Sequence, residues 1–139
     1  MRYRKLGQST VSEIGFGTWG IGGLTEGASS YGPADDLVSK EAIRTALDQG
    51  INFFDTANLY GDGHAEELIG EVLHQDKCRD KAIIATKGGL VKFWGDNDLS
   101  RDGLRNSLIG SLRRLRTDYA DLYQLYNPPI EMLDQEVVD

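Results

Sequence analysis

Four side chains with usable chemistry fall where short apolar runs stop. Asp55 closes the run beginning at Ile51, Lys87 closes residues 81–87, and Tyr126 closes residues 121–126. Tyr60 lies one short loop beyond Asp55. Parallel strands all end on one face, so a carboxylate, an amine and two phenols are expected in one pocket. An ammonium beside a carboxylate stays charged, and a cation near a phenol favours phenolate. The Tyr60 pKa is therefore expected to fall from about 10 toward neutrality, and Tyr60 is expected to protonate an oxyanion as it forms. Spacing alone fits a structural ion pair equally well.

The intervening sequence supplies the elements that must hold this set. Residues 1–13 form an expected β-hairpin around Gly-Gln-Ser. A strand from Ile14 ends at Gly17, Thr18 and Trp19, and a Gly- and Ser-rich loop follows to about Asp35. Gly15 and Gly17 lack the third glycine and the immediate helix of a nucleotide fingerprint, so a strand end needing close backbone approach is the simpler reading. Asp35 and Asp36 cap a helix whose apolar face is Leu37, Val38, Ala42, Ile43, Ala46 and Leu47, with Gly50 at its exit. A second helix buries Leu68, Ile69, Val72 and Leu73.

Residues 81–87 run without alternation, as a strand covered on both faces does. Ser100 caps a third helix with Leu99 and Leu104 as a staple; its stripe is Leu104, Leu108, Ile109, Leu112 and Leu115. Arg105, Arg113, Arg114 and Arg116 are expected on its solvated face. The alternation β-α-β-α-β-α-β after the hairpin gives a parallel α/β sheet. Residues 1–139 then form one partial domain: hairpin 1–13, β/α units 14–126 and an acidic tail 127–139.

A net charge of −7 and a pI near 4.8 argue against nucleic acid and anionic membranes as partners. The lone Cys78 and the lack of a long apolar run point to a reducing, cytoplasmic setting. Cys78 is expected as a turn thiol, with Lys77 and Arg79 able to lower its pKa. His64 and His74 are spaced too poorly for a zinc pair, so no metal is expected and both are placed in solvent.

Six segments carry a resemblance across essentially the whole chain. They are Tyr3-Arg-Lys-Leu-Gly, Glu13-Ile-Gly-Phe-Gly-Thr-Trp, Gly50-Ile-Asn-Phe-Phe-Asp-Thr-Ala-Asn-Leu-Tyr-Gly, Glu66-Glu-Leu-Ile-Gly, Ile84-Ala-Thr-Lys-Gly-Gly and Asp118-Tyr-Ala-Asp-Leu-Tyr-Gln-Leu. In order and content the sequence resembles the aldo-keto reductase family. The resemblance implies a (β/α)8 TIM barrel, of which this is the N-terminal half with its hairpin. It also implies hydride transfer from NADPH, less often NADH, to an aldehyde or ketone. Tyr60 is then the general acid, Lys87 its pKa-lowering partner and Asp55 the carboxylate paired with Lys87. Gly17, Thr18, Trp19 and Asp55 lie toward the nicotinamide and substrate.

Three departures from the family pattern matter. Tyr126 stands where relatives usually carry His; a phenol is bulkier and a poorer acid-base partner, so weakened turnover is expected. The chain carries four strands where a closed barrel has eight, and the resemblance places most adenosine and pyrophosphate contacts in the other half. Bare sheet edges then favour self-association into a homo-oligomer over the two alternatives, one piece of an interrupted gene or an opened sheet with covered edges. Ala65 occupies the usual serine cap before Glu66, costing about 1 kcal/mol unless Asp62 or His64 substitutes. Two functions follow as expectations: a carbonyl reductase with NADPH and a small carbonyl substrate, or a non-catalytic half-barrel acting through assembly.

Overall fold

The computed structural model describes residues 1–25, 30–92 and 95–132. Most of the acidic tail, together with Phe93 and Trp94 of the second loop, lies outside them. Strands β1 (Tyr3–Leu6) and β2 (Ser9–Ser12) pair antiparallel around Gly7, whose φ of 58° suits a residue without Cβ. The hairpin plugs the end of the sheet opposite the strand termini: the Tyr3 hydroxyl donates to the Gly50 carbonyl, and Asn52 bonds Ser12 and Thr10.

Strands β3 (Gly15–Gly17), β4 (Phe53–Asp55), β5 (Ile83–Gly88) and β6 (Leu122–Leu125) form one parallel sheet in chain order. Helices α1 (Asp36–Asp48), α2 (His64–Gln75) and α3 (Arg101–Leu115) make the three crossovers. All four strand ends therefore face one way. The core joins Phe54 and Ile84 of the sheet to Ile43, Leu68, Ile69, Val72, Leu73 and Leu115 of the helices. Each such side chain contributes roughly 1.5–3 kcal/mol on burial. Among the described residues, no helix is long and apolar enough to cross a membrane.

Helix ends follow the sequence at two places and depart from it at a third. Asp35 accepts from the Leu37 and Val38 amides, and Ser100 from the Gly103 amide. The expected cap at Ala65 is not where α2 starts. The helix begins at His64 after Gly63, and neither Asp62 nor His64 makes a side-chain cap bond. Loop carbonyls do this work: Tyr60 O accepts from Ala65 N and Gly61 O from His64 N, each at 3.1 Å.

Other expectations are corrected by packing. Leu37 and Val38 are 78% and 69% exposed; among the described residues it is the Ser39, Ile43 and Ala46 side of α1 that packs inward. On α3 Leu115 is buried, but Ile109 is exposed and Leu104, Leu108 and Leu112 are half-buried, since the sheet beside them ends at β6. Cys78 is buried in the core, not in a polar turn, and burial first, then the Asp76 charge, push its thiol up. His64 is not simply solvated: its ring meets Asp36 and Glu67.

Candidate active site

Lys87 stands at the centre of the strand-end face. Its ammonium donates to Asp55 Oδ1 at 2.7 Å, to the Thr56 carbonyl at 2.9 Å and to the Tyr60 hydroxyl at 3.1 Å. An ammonium has three N–H groups, and all three are occupied. The sheet register explains the convergence. Asp55 pairs with Ala85, two residues before Lys87, so both side chains leave the same face of the sheet. Lys87 in turn pairs with Gln124, two residues before Tyr126.

Aromatic rings wall this cluster. Tyr126 meets Tyr60 edge-on, with ring centres 6.1 Å apart. Trp19 lies 6.5 Å from Tyr60 on another side and packs against Tyr31 at 4.7 Å. The Lys87 ammonium sits 4.9 Å from the Tyr60 ring centre and 5.9 Å from that of Tyr126. Thr18 is fully buried, and its hydroxyl and amide both donate to the Asp55 carbonyl. Its role in this geometry is to fix the end of β4. Gly17 leaves open space: a Cβ there would meet nothing within 4 Å.

The electrostatics correct one expectation. Tyr60 is not drawn toward neutrality; burial, then the Asp55 carboxylate, push its phenol above the ordinary value, against a lowering hydrogen bond from Tyr126. The Lys87 ammonium cannot act as a lone cation because Asp55 neutralises it at contact distance. Tyr126 is pushed up to about 12, by burial first and then by Tyr60. Both phenols thus hold their protons at neutral pH. The Tyr60 oxygen accepts from Lys87 and from Tyr126, which leaves its own O–H as the proton to give away.

A positioned phenol, an ammonium–carboxylate pair behind it and an aromatic wall make a site that can protonate an oxyanion. The family model described as Aldo/keto reductase family matches residues 13–139. The chain belongs to the aldo/keto reductase family. Aldo-keto reductase YhdN of Bacillus subtilis is 42% identical over 141 residues, covering 94% of this chain and 40% of YhdN. Aldo-keto reductase yakc [NADP(+)] of Schizosaccharomyces pombe is 34% identical, covering 94% and 39%. The solved structure of aldo-keto reductase AKR11C1 from Bacillus halodurans, in its holo form, superposes with a TM-score of 0.81 at 34% identity. It covers 99% of this chain and 44% of that one. The aldo-keto reductase chain described here therefore spans about 40% of the length of the curated relatives it matches, and its fold is a half-barrel.

Sequence reasoning brought Asp55, Tyr60, Lys87, Tyr126, Gly17, Thr18 and Trp19 to one face, and missed the layer behind them. Glu66 is fully buried in the first turn of α2. It accepts from the Thr86 hydroxyl at 2.5 Å and from Arg114 Nε at 2.8 Å. Arg114 thus turns inward rather than lying on a solvated face. The signal was present: Glu66 falls on the same helical stripe as Ile69 and Leu73, where a carboxylate needs a partner. Among the described residues, no group of three or more His, Cys, Asp or Glu could hold a metal ion.

Proposed function

We propose that this chain supplies the proton-transfer half of a reductase site that takes an aldehyde or ketone to an alcohol with NADPH. The observation that carries the reading is the Lys87 ammonium bound at once to Asp55, Tyr60 and the Thr56 carbonyl. Three conditions favour Tyr60 as the donor. It is protonated at neutral pH, its oxygen accepts two hydrogen bonds, and its O–H is free to turn toward a substrate oxygen. As the carbonyl oxygen gains charge it takes the Tyr60 proton. The O–H bond breaks, and the phenolate left behind is stabilised by Lys87 and Tyr126 until water reprotonates it.

The residues present fit the nicotinamide end of the cofactor. Trp19 offers a half-exposed indole face beside Tyr60, and Gly17 leaves the strand mouth open. When bound, the reduced nicotinamide supplies the hydride taken up by the carbonyl carbon. NADPH is favoured because the fission-yeast relative bears NADP(+) in its name. Tyr126 in place of an imidazole gives a weaker proton partner and turnover lower by about 10²-fold.

A second reading rests on a separate observation. Among the described residues the sheet has four strands, with β3 and β6 at its edges, and Leu37 and Val38 stand exposed beside Phe16 of β3. Two copies would supply the eight strands of a barrel, each β6 running beside the other copy's β3. We infer a homo-oligomer of this kind in a reducing cytoplasm, where the buried Cys78 stays a free thiol. If the assembled cleft holds no cofactor, the chain acts through assembly alone.

Two measurements separate the readings. NADPH quenching of tryptophan fluorescence, with loss of aldehyde reduction in Tyr60→Phe, supports the reductase; no quenching at millimolar NADPH overturns it. Light scattering that gives a multiple of 15.4 kDa supports assembly. A compact monomer overturns it.

A further inference from the structure

The loop that carries Tyr60 is held from behind by charges that do not touch the site. Residues 60–63 run between two close contacts. On one side, a Cβ on Gly22 would lie 2.9 Å from the Tyr60 carbonyl carbon. On the other, a Cβ on Gly63 would lie 2.6 Å from Arg114 Cδ and 2.7 Å from its Nε. Arg114 therefore lies flat across the N-terminus of α2. Its guanidinium also reaches Ser111 at 3.4 Å.

The other end of this charge network is the strand that carries Lys87. Glu66 accepts from Arg114 with one oxygen and from Thr86 with the other. Thr86 and Lys87 are neighbours in β5, so their side chains leave opposite faces: Thr86 toward the helices, Lys87 toward the site. A single buried carboxylate thus joins the helix that follows the Tyr60 loop to the residue beside Lys87. Unpaired, it would be an uncompensated buried charge, which a fold does not tolerate well.

We propose that Glu66 and Arg114 are positioning residues that set the separation of the Tyr60 hydroxyl from the Lys87 ammonium. The proposal deepens the reductase reading and rests on it for its functional meaning, but its geometric content stands without turnover. Arg116 supplies the natural control. It pairs with Glu71 at 3.1 Å across the same two helices, but its side chain is 44% exposed and away from Tyr60.

The test is the ring 13Cζ chemical shift of Tyr60 in the full chain, assigned with Tyr60→Phe and calibrated with Lys87→Met. Arg114→Gln moves the signal at least half as far as Lys87→Met does. Thr86→Val, near-isosteric and free of any new charge, moves it in the same sense. Glu66→Gln combined with Arg114→Gln brings it back toward wild type, because no lone charge remains buried. Arg116→Gln leaves it in place. An unmoved signal in both Arg114→Gln and Thr86→Val overturns the proposal, as does an equal shift in Arg116→Gln, which would mark general loosening of the helix pair. If Arg114→Gln does not fold, Thr86→Val decides alone. Where aldehyde reduction is measurable, Arg114→Gln lowers kcat by about 10²-fold with KM within about twofold, as a displacement near 1 Å does. A moved signal without any NADPH-dependent turnover in wild type sinks the reductase reading and leaves the brace standing.

Discussion

The middle of the sheet and its β3 flank are built from the same kinds of element to opposite ends. At the middle, every donor of Lys87 is occupied, Thr86 and Glu66 are fully buried and paired, and Phe54 and Ile84 are sealed under α1 and α2. At the flank, Phe16, Leu37, Val38, Ala42 and Ile51 line an open apolar hollow of about 690 Å³. This hollow is away from the Lys87 cluster. A ligand site needs a few fixed polar groups, and this one has almost none, so it is a packing face that no described residue covers. The difference teaches that three β/α units and a fourth strand suffice to fix the Lys87 cluster, while the face beside β3 is left without a packing partner among the described residues.

That contrast is broken most sharply at Tyr60, the proposed donor. Tyr60→Phe removes one oxygen and leaves the ring packing between Trp19 and Tyr126. Aldehyde reduction should fall by about 10²-fold or more while the denaturation midpoint moves little. Retained turnover would remove Tyr60 from the chemistry and leave the middle of the sheet as structure alone.

Next in size is a pair of truncations. Phe54→Ala, in the fully buried centre, should cost about 3–5 kcal/mol in chemical denaturation. Leu37→Ala, at a side chain 78% exposed, should stay within about 0.5 kcal/mol in dilute monomer but weaken any oligomer. Equal costs would mean that the flank is covered in solution. Smaller still is Ser100→Ala, which strips the cap from α3 and should cost about 1 kcal/mol by the same measurement.

How much of this was legible before the structure depends on which interactions are local. Helix α1 could be read from Asp35 and Gly50, and α3 from Ser100, because caps act within a few residues. Strand β5 could be read from its unbroken apolar run. The convergence of Asp55, Lys87 and Tyr126 followed from strand ends sharing one face. Three features were hidden for a common reason: each is a contact between distant residues of ordinary type. Arg114 looks like any arginine beside Arg113 until Glu66, 48 positions away, is seen buried beneath it. Leu37 looks like core until its side of α1 is seen to meet no described element. The Tyr60 phenol was expected to be acidic because Asp55 was counted only as keeping Lys87 charged, while burial and the carboxylate's own repulsion of a phenolate were left out.

The finest test sits on the border between the two regions. His64 opens α2, four residues after Tyr60, and its ring reaches across to Asp36 at the start of α1, beside Leu37. Nε2 lies 2.8 Å from Asp36 Oδ1, and Nδ1 lies 3.5 Å from Glu67 Oε2. Burial alone would lower its pKa, but the Asp36 hydrogen bond and charge, with a share from Glu67, raise it above the ordinary value. A histidine whose pKa is higher folded than unfolded binds its proton more tightly in the folded state. Its stabilising share is therefore fully present below the unfolded value, near 6.5, and is lost as pH rises through the folded value. The ring is partly exposed, so solvent screening keeps the effect under about 1 kcal/mol. His64→Gln should thus destabilise the chain at about pH 5.5 and match wild type at about pH 9. A gap in denaturation midpoints that is equal at both pH values, or wider at the alkaline one, would show that His64 does not tie the ordered middle to the open flank through its charge.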